Sequence, residues 1–292
     1  EYLVQKGIEY NFTVPGGGAM HLNVSFGHQD GLNNIFMQHE QSAAMAAEVY
    51  YRVNNRLPLV CCTTGPGGTN TLTGVLGAWL DSIPMLIISG QVRYATTARA
   101  AGIPVRAMGD QEFDITPMVS HMTKYAEMII DPKKVKYHVD KALYLALHGR
   151  PGPVWLDIPL DIQGGYIDTE EFISFDPEEV KEINPPSVTN EQVTEIINKI
   201  CNAKRPVLNV GNGIHIANCL PLMRKVAKKL NKSADFLCDS PFPEHYSFIK
   251  NHEIFGKREL SEYDLAISVD CADEFRMGEY SDIYFSCKQT VN

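Results

Sequence analysis

The chain has no C-x-x-C pair, no run of about 18 apolar residues, no basic leader and no surplus of positive charge. Each absence closes a class of function. The seven cysteines (Cys61, Cys62, Cys201, Cys219, Cys238, Cys271 and Cys287) are odd in number and lack zinc spacing. They are expected to be reduced, mostly buried small hydrophobes, neither a disulfide frame nor a metal site. Without an apolar span or a signal-like start, the expected address is cytoplasmic, with no membrane role. A formal net charge of -9 speaks against nucleic acid as a partner, which needs a basic face to displace phosphate counterions. Internal repeats and low-complexity tracts are also missing. The first residue is Glu1, in a helix-like E-Y-L-V-Q-K-G-I, and the chain reads as a fragment.

What is present is an ordinary globular composition, 44% hydrophobic and 21% charged over 292 residues, enough for about two domains. Through residue 165, short apolar runs alternate with longer amphipathic stretches, the pattern of a parallel sheet wrapped by helices. Strands are predicted at 10–14, 34–38, 58–63, 84–89, 124–130 and 153–158, and helices at 40–54, 67–80 and 132–147. Asp131 caps the last of these, with Pro132 at its first position. Residues 166–187, rich in acid, glycine and proline, read as an exposed linker. A second, partial Rossmann-like α/β domain follows over 188–292, with a helix at 189–202, a strand at 206–210, a helix at 217–230 and a buried-type strand at 264–270. The fold class is α/β, a parallel sheet flanked by helices, followed by this partial second domain.

Four polar or glycine-rich stretches fall at predicted strand ends, where open α/β sheets place ligands: P-G-G-G at 15–18, H-E-Q at 39–41, T-T-G-P-G-G-T-N at 63–70 and S-G-Q-V at 89–92. Singly each is weak, since a glycine cluster after a strand is usually a tight turn. Glu40 too has an ordinary explanation, because unpaired N–H groups and the macrodipole favour acid in a first helical turn.

In order and spacing, these stretches and F-T-V-P-G-G-G, W-L-D-S-I-P-M-L-I-I-S-G-Q-V, G-D-Q-E-F-D-I and H-G-R-P-G-P-V-W-L-D-I-P-L-D resemble the pyrimidine-binding domain of thiamine-diphosphate-dependent enzymes. Within them the acetolactate synthase large-subunit group is the most similar, over essentially all of residues 1–165. The resemblance implies that Glu40 is the cofactor-activating carboxylate, sharing a proton with the aminopyrimidine ring so that the exocyclic imine can deprotonate the thiazolium. An apolar cleft around Glu40, made by the strand before it and the Ala-Met-Ala-Ala run after it, suits that exchange. It implies that Gly17 lets the backbone approach the pyrimidine, that Thr64, Gly65, Pro66, Gly67 and Asn70 form a cofactor-binding loop, and that catalytic Gln111 lies near the reacting centre. His39 is balanced between a backbone-bonded strand end and a catalytic role. Arg150 orders a turn, and Trp79 and Asp81 are structural.

The implied activity is decarboxylation of a pyruvate-like 2-keto acid and ligation of the acyl unit to a second carbonyl. Two departures bear on the acceptor: Asp110 stands where the group has an aromatic residue, and His21 where it has proline. A more polar pocket keeps a sugar-branching carboligase or a simple decarboxylase open. The family's Gly-Asp-Gly diphosphate and Mg2+ motif is missing, the only Gly-Asp being Gly109-Asp110. Thiamine diphosphate and Mg2+ would therefore need a separate diphosphate-binding domain or subunit, and the isolated chain is expected to be inactive; no metal ligands are assigned to it. FAD is left open, and a homodimer or higher oligomer is implied. A non-catalytic subunit is the contrasting alternative. Residues 206–230 still resemble the family's central domain. Those after about 230 look more like a DHH-type phosphoesterase fragment with Asp270 at a strand end, as in a joined record, though the other metal ligands of that family are missing.

Overall fold

The computed structural model describes residues 1–183, 187–204, 206–211, 213–219, 221–222, 225, 235–237, 265–269 and 281–291. Two compact units are formed, Glu1–Pro185 and Pro186–Asn292. In the first, strands β1 (Tyr10–Thr13), β2 (Asn33–Phe36), β3 (Leu59–Cys62), β4 (Leu86–Gln91), β5 (Ala126–Met128) and β6 (Val154–Pro159) pair in parallel in the order β2-β1-β3-β4-β6-β5. Every residue of β3, β4 and β6 is buried, because helices cover both faces of a parallel sheet and its central strands must be apolar runs. The principal helices are α1 (Met20–Gly27), α2 (Glu40–Asn54), α3 (Pro66–Asn70), α4 (Leu72–Leu80) and α5 (Val135–Leu147).

The chain leaves β1 for β2 on one side, then crosses to place β3 on the other. Such a reversal opens a crevice beyond the carboxyl ends of the two strands. P-G-G-G follows β1 there, and T-T-G-P-G-G-T-N follows β3. Over the sheet, α2 buries Ala43, Ala44, Ala47 and Tyr51. It packs so closely on α4 that a Cβ on Gly74 would lie 2.6 Å from that of Ala44.

Several expectations need correction. The single helix predicted over 67–80 is two, α3 and α4, because buried Thr71 turns both its amide (3.1 Å) and its hydroxyl (2.7 Å) to the carbonyl of Gly68, tightening the backbone there. β4 continues to Gln91 where S-G-Q reads as a turn: Gly90 belongs in the strand because the Gly18 carbonyl oxygen sits 2.0 Å from where its Cβ would be. β2 stops at Phe36, and Phe36 is 66% exposed, because β2 is a sheet edge. The strand before Glu40 therefore does not enclose it in an apolar cleft. The Asp131 cap is present, accepting from the Lys133 amide at 3.0 Å. Residues 166–180 are mostly exposed, yet they strap α5: Ile173 N–H donates to the Lys133 carbonyl, Tyr137 Oη to Glu179, and Phe175 packs against Tyr137 and Tyr144.

In the second unit, helix α6 (Asn190–Asn202) begins with a reciprocal Thr189–Gln192 cap. Strands β7 (Pro206–Val210), β8 (Asp235–Leu237), β9 (Leu265–Val269) and β10 (Gln289–Val291) form a parallel sheet in the order β10-β9-β7-β8. The helix expected from Ala217 is not seen at its start: a short helix Gly213–Ile216 closes in a turn with Asn218 at φ 51°, and most of 220–230 lies outside the described residues. So do Cys238, Asp270, Cys271 and most of the stretch likened to a phosphoesterase. Cys61 and Cys62 are buried as expected, but Cys201 is exposed and Cys219 and Cys287 are half-buried. Burial pushes the Cys61 thiol up to about 12 and that of Cys62 well up too, so neither is a nucleophile at neutral pH.

Candidate cofactor site

Glu40 is the first residue of α2. Its predecessor His39 caps the helix: the imidazole Nδ1 accepts from the Gln41 amide at 3.1 Å, and the His39 carbonyl takes the Ser42 hydroxyl at 2.7 Å. Of the two roles weighed for His39, the structure displays the backbone-bonded one. The Glu40 carboxylate is half-buried, and its Oε2 accepts from Asn70 Nδ2 at 3.0 Å. Oε1 faces Gly67, whose missing Cβ would come within 3.6 Å of it and within 2.8 Å of Thr63 Cγ2.

Thr63 ties this group to the turn after β1. Its Oγ1 accepts from the Gly18 amide at 2.9 Å, and its Cβ lies 2.5 Å from where a Cβ on Gly16 would be. Gly17 between them has open space where its Cβ would project. Glu40, Gly67, Asn70, Thr63 and the glycine turn thus surround one place at the switch point.

A second group lies behind the loop. Gly65, at φ 59° and ψ -119°, is in a region open essentially to glycine alone, and the Gln111 carbonyl oxygen sits 2.3 Å from its would-be Cβ. Gln111 itself has φ 56°; its side chain is exposed and makes no hydrogen bond among the described residues. Pro66 is exposed at the first position of α3. Thr64 is buried, and its hydroxyl points inward, donating to Gln91 Oε1 at 2.6 Å. Arg150 Nε holds the Ser82 hydroxyl at 2.6 Å, and Asp81 pairs with Arg52, so both serve turns. Asp110 and His21 are exposed. His21 borders a hollow of about 390 Å³ with Met20, Arg93, Leu160, Asp161 and Gly164.

Sequence reasoning missed a buried polar chain beneath the loop. Trp155 Nε1 donates to Ser89 Oγ (2.8 Å), Ser89 Oγ to Asp157 Oδ1 (2.6 Å), and Gln91 Nε2 to Asp157 Oδ2 (3.1 Å) and to the Phe113 carbonyl (2.8 Å). Burial lifts the Asp157 carboxyl from 3.8 to about 7, against the lowering hydrogen bonds of Ser89 and Gln91. The available signal was an aspartate inside the apolar run V-W-L-D-I, where a charge is rarely tolerated.

Residues 1–118 match the family described as thiamine pyrophosphate enzyme, N-terminal TPP binding domain. The acetolactate synthase large subunit of Lactococcus lactis is 32% identical over 238 residues, 78% of this chain and 38% of that protein. Over residues 1–118 the chain is thus similar to the N-terminal domain of thiamine pyrophosphate enzymes. Acetolactate synthase 3, chloroplastic, of Brassica napus is 34% identical over 218 residues, 73% of this chain and 31% of that protein. The chain thus spans well under half the length of these curated relatives. A crystal structure described as a thiamin diphosphate-dependent enzyme, from Mycobacterium smegmatis, superposes with a TM-score of 0.65 over 94% of this chain and 51% of its own, at 21% identity. That likeness establishes the α/β fold. No helix among the described residues is long and apolar enough to cross a membrane.

The residues at the switch point suit the pyrimidine end of thiamine diphosphate. Gly17 leaves room for a flat ring against the backbone, and Glu40 keeps one carboxylate oxygen turned away from Asn70. Gly65→Ala tests the loop behind them. The added methyl meets the Gln111 carbonyl and forces a non-glycine residue into a strained conformation, at a cost of about 1–3 kcal/mol for the backbone alone. The expected result is a lower denaturation midpoint at unchanged m-value in a urea titration; an unaltered midpoint would show that the loop rearranges freely.

Proposed function

We propose that the chain supplies the pyrimidine-binding half of a thiamine-diphosphate-dependent enzyme that decarboxylates a pyruvate-like 2-keto acid and joins the acyl unit to a second carbonyl. The observation that carries this reading is Glu40 at the head of α2, held by Asn70 and faced by Gly67 across from the open Gly17. Thiamine diphosphate supplies a carbon nucleophile once its thiazolium has lost a proton. Glu40 would hold and return a proton at the pyrimidine ring, Asn70 would fix its carboxylate, and the glycine turn would admit the ring. Thr64 and Gly65 would set the loop from behind, with Gln111 beside it.

The given sequence has no Gly-Asp-Gly motif, so residues outside it would hold the diphosphate and Mg2+. Homodimerisation has a matching surface: Met45, Val49 and Val53 on α2 and Leu76 and Leu80 on α4 are all more than 40% exposed. Acceptor choice falls to polar groups, His21 and Asp110 among them, which favours the acceptors of sugar-branching relatives as the second reading. We read 188–292 as a divergent central domain rather than a phosphoesterase piece, supported by the breadth of the fold match.

Calorimetric titration of this chain with thiamine diphosphate and Mg2+, alone and with an acetolactate-synthase-type diphosphate-binding domain added, tests the proposal. Heat only from the mixture is expected. No heat in either case from folded protein would favour a non-catalytic subunit.

A further inference from the structure

Cys62, Ser89, Asp157 and Met128 are register partners across β3, β4, β6 and β5, so they lie in one row on one face of the sheet. Trp155 and Gln91 sit two residues away on that face, and α3 covers it: Trp155 Cζ2 lies 3.5 Å from where a Cβ on Gly68 would be. The loop carrying Gly65, Gly67 and Asn70 therefore rests on the indole and is tied by Thr64 to the same polar chain that contains Asp157.

The chain has a direction. Trp155 donates to Ser89 and Ser89 to Asp157; from the other end Thr64 donates to Gln91 and Gln91 to Asp157. Both branches terminate on the carboxylate, which accepts on both oxygens. Beyond the loop, Gln91 Nε2 also holds the Phe113 carbonyl, and Gln91 Oε1 takes the Val92 amide at 3.0 Å.

We propose that Asp157 is a positioning residue that holds the loop over residues 63–70, and with it Gln111, through Gln91 and Thr64. This rests on the reading of that loop as the cofactor's. The ionised carboxylate satisfies both branches as seen. Once neutral, Asp157 must find an acceptor for its own proton; Ser89 Oγ, 2.6 Å away, is the neighbour that can take it, and the arrangement of donors along the chain changes. The groups facing Asp157 do not hide its titration. Cys62 stays a thiol, while Asp114 raises and Arg99 lowers the proton affinity of Asp157, and those two pair with each other at 3.4 Å. Because burial is what raises this carboxyl, any opening of the loop that lets water reach it is favoured by deprotonation, and the loop is expected to loosen as pH rises through about 7.

The test uses the whole chain without cofactor, so its outcome is separate from whether thiamine diphosphate binds. In a Trp79→Phe background, Trp155 is the sole indole, and its fluorescence is followed from pH 5 to 9 together with amide exchange of residues 64–71, corrected for intrinsic rates. A single transition near pH 7 is expected in fluorescence, with exchange about tenfold faster on the alkaline side, in the same sense as the loss of stability on ionising a buried carboxylate. Asp157→Asn, which keeps the shape and cannot ionise, should abolish both transitions. Thr64→Val should keep the fluorescence transition and lose the one in exchange. A transition that persists in Asp157→Asn, or fluorescence and exchange that do not vary with pH in the parent, would overturn the assignment. So would loop exchange indifferent to a transition that Trp155 reports.

Discussion

In the enzyme proposed above, Glu40→Gln should lower turnover by about 10²–10⁴-fold, the range that positioned acid–base groups contribute, with little change in fold. Glutamine has nearly the volume of glutamate, and its carbonyl oxygen can still accept from Asn70 Nδ2, now 3.0 Å from Oε2. His39 continues to cap α2. What is lost structurally is a negative charge in a first helical turn, about 0.3–1 kcal/mol. What would be lost chemically, in the proposed role, is the ability to hold and release a proton at the cofactor ring, which an amide cannot do. Steady-state turnover, paired with NMR of hydrogen–deuterium exchange at the thiazolium carbon of bound cofactor, should show both rates falling together. Turnover within tenfold of wild type would remove Glu40 from this role.

The second large effect concerns stability. Asp157 has a folded-state value raised from 3.8 to about 7 by burial. A raised acid binds more protons folded than unfolded between those values, so stability falls as pH rises through that window, by about 1.4 kcal/mol per unit. Above pH 7 the loss is complete, roughly 4 kcal/mol in all; below pH 4 it is absent. Other carboxylates slope the other way in acid, so the comparison is with Asp157→Asn. Urea denaturation of the Trp155-reporting unit at pH 5, 6, 7 and 8 should show the wild type losing ground to the variant up to pH 7 and then running parallel. Curves parallel throughout would mean that Asp157 ionises in the folded state as readily as in the unfolded chain.

Much of the first unit was legible because its signals are local. Helix α2 is found at Glu40–Asn54 as predicted, since its cap and alanine periodicity lie within one segment, and β3, β4 and β6 appear as buried apolar runs. The strand ends with glycine loops pointed to the site. The errors share another cause. Gly90 looked like turn punctuation, whereas it is a strand residue needed for the passage of Gly18. Thr71 looked like a mid-helix residue, whereas its hydroxyl turns back to Gly68. The strand before Glu40 looked enclosing, whereas it is an edge.

Sequence by itself determined the α/β alternation, helices α2 and α5 of the first unit, and the candidate status of Glu40, because caps, periods and motif spacing are properties of contiguous residues. Helix α1, which follows the glycine turn, was not among the helices it predicted. Tertiary structure alone decided that Asn70 holds Glu40, that Thr63 joins two glycine turns, and that Trp155, Ser89, Asp157, Gln91 and Thr64 form one polar chain. Those contacts join residues 27 to 68 positions apart, and only the crossing of β1, β3, β4 and β6 in a single sheet brings them within a hydrogen bond of each other.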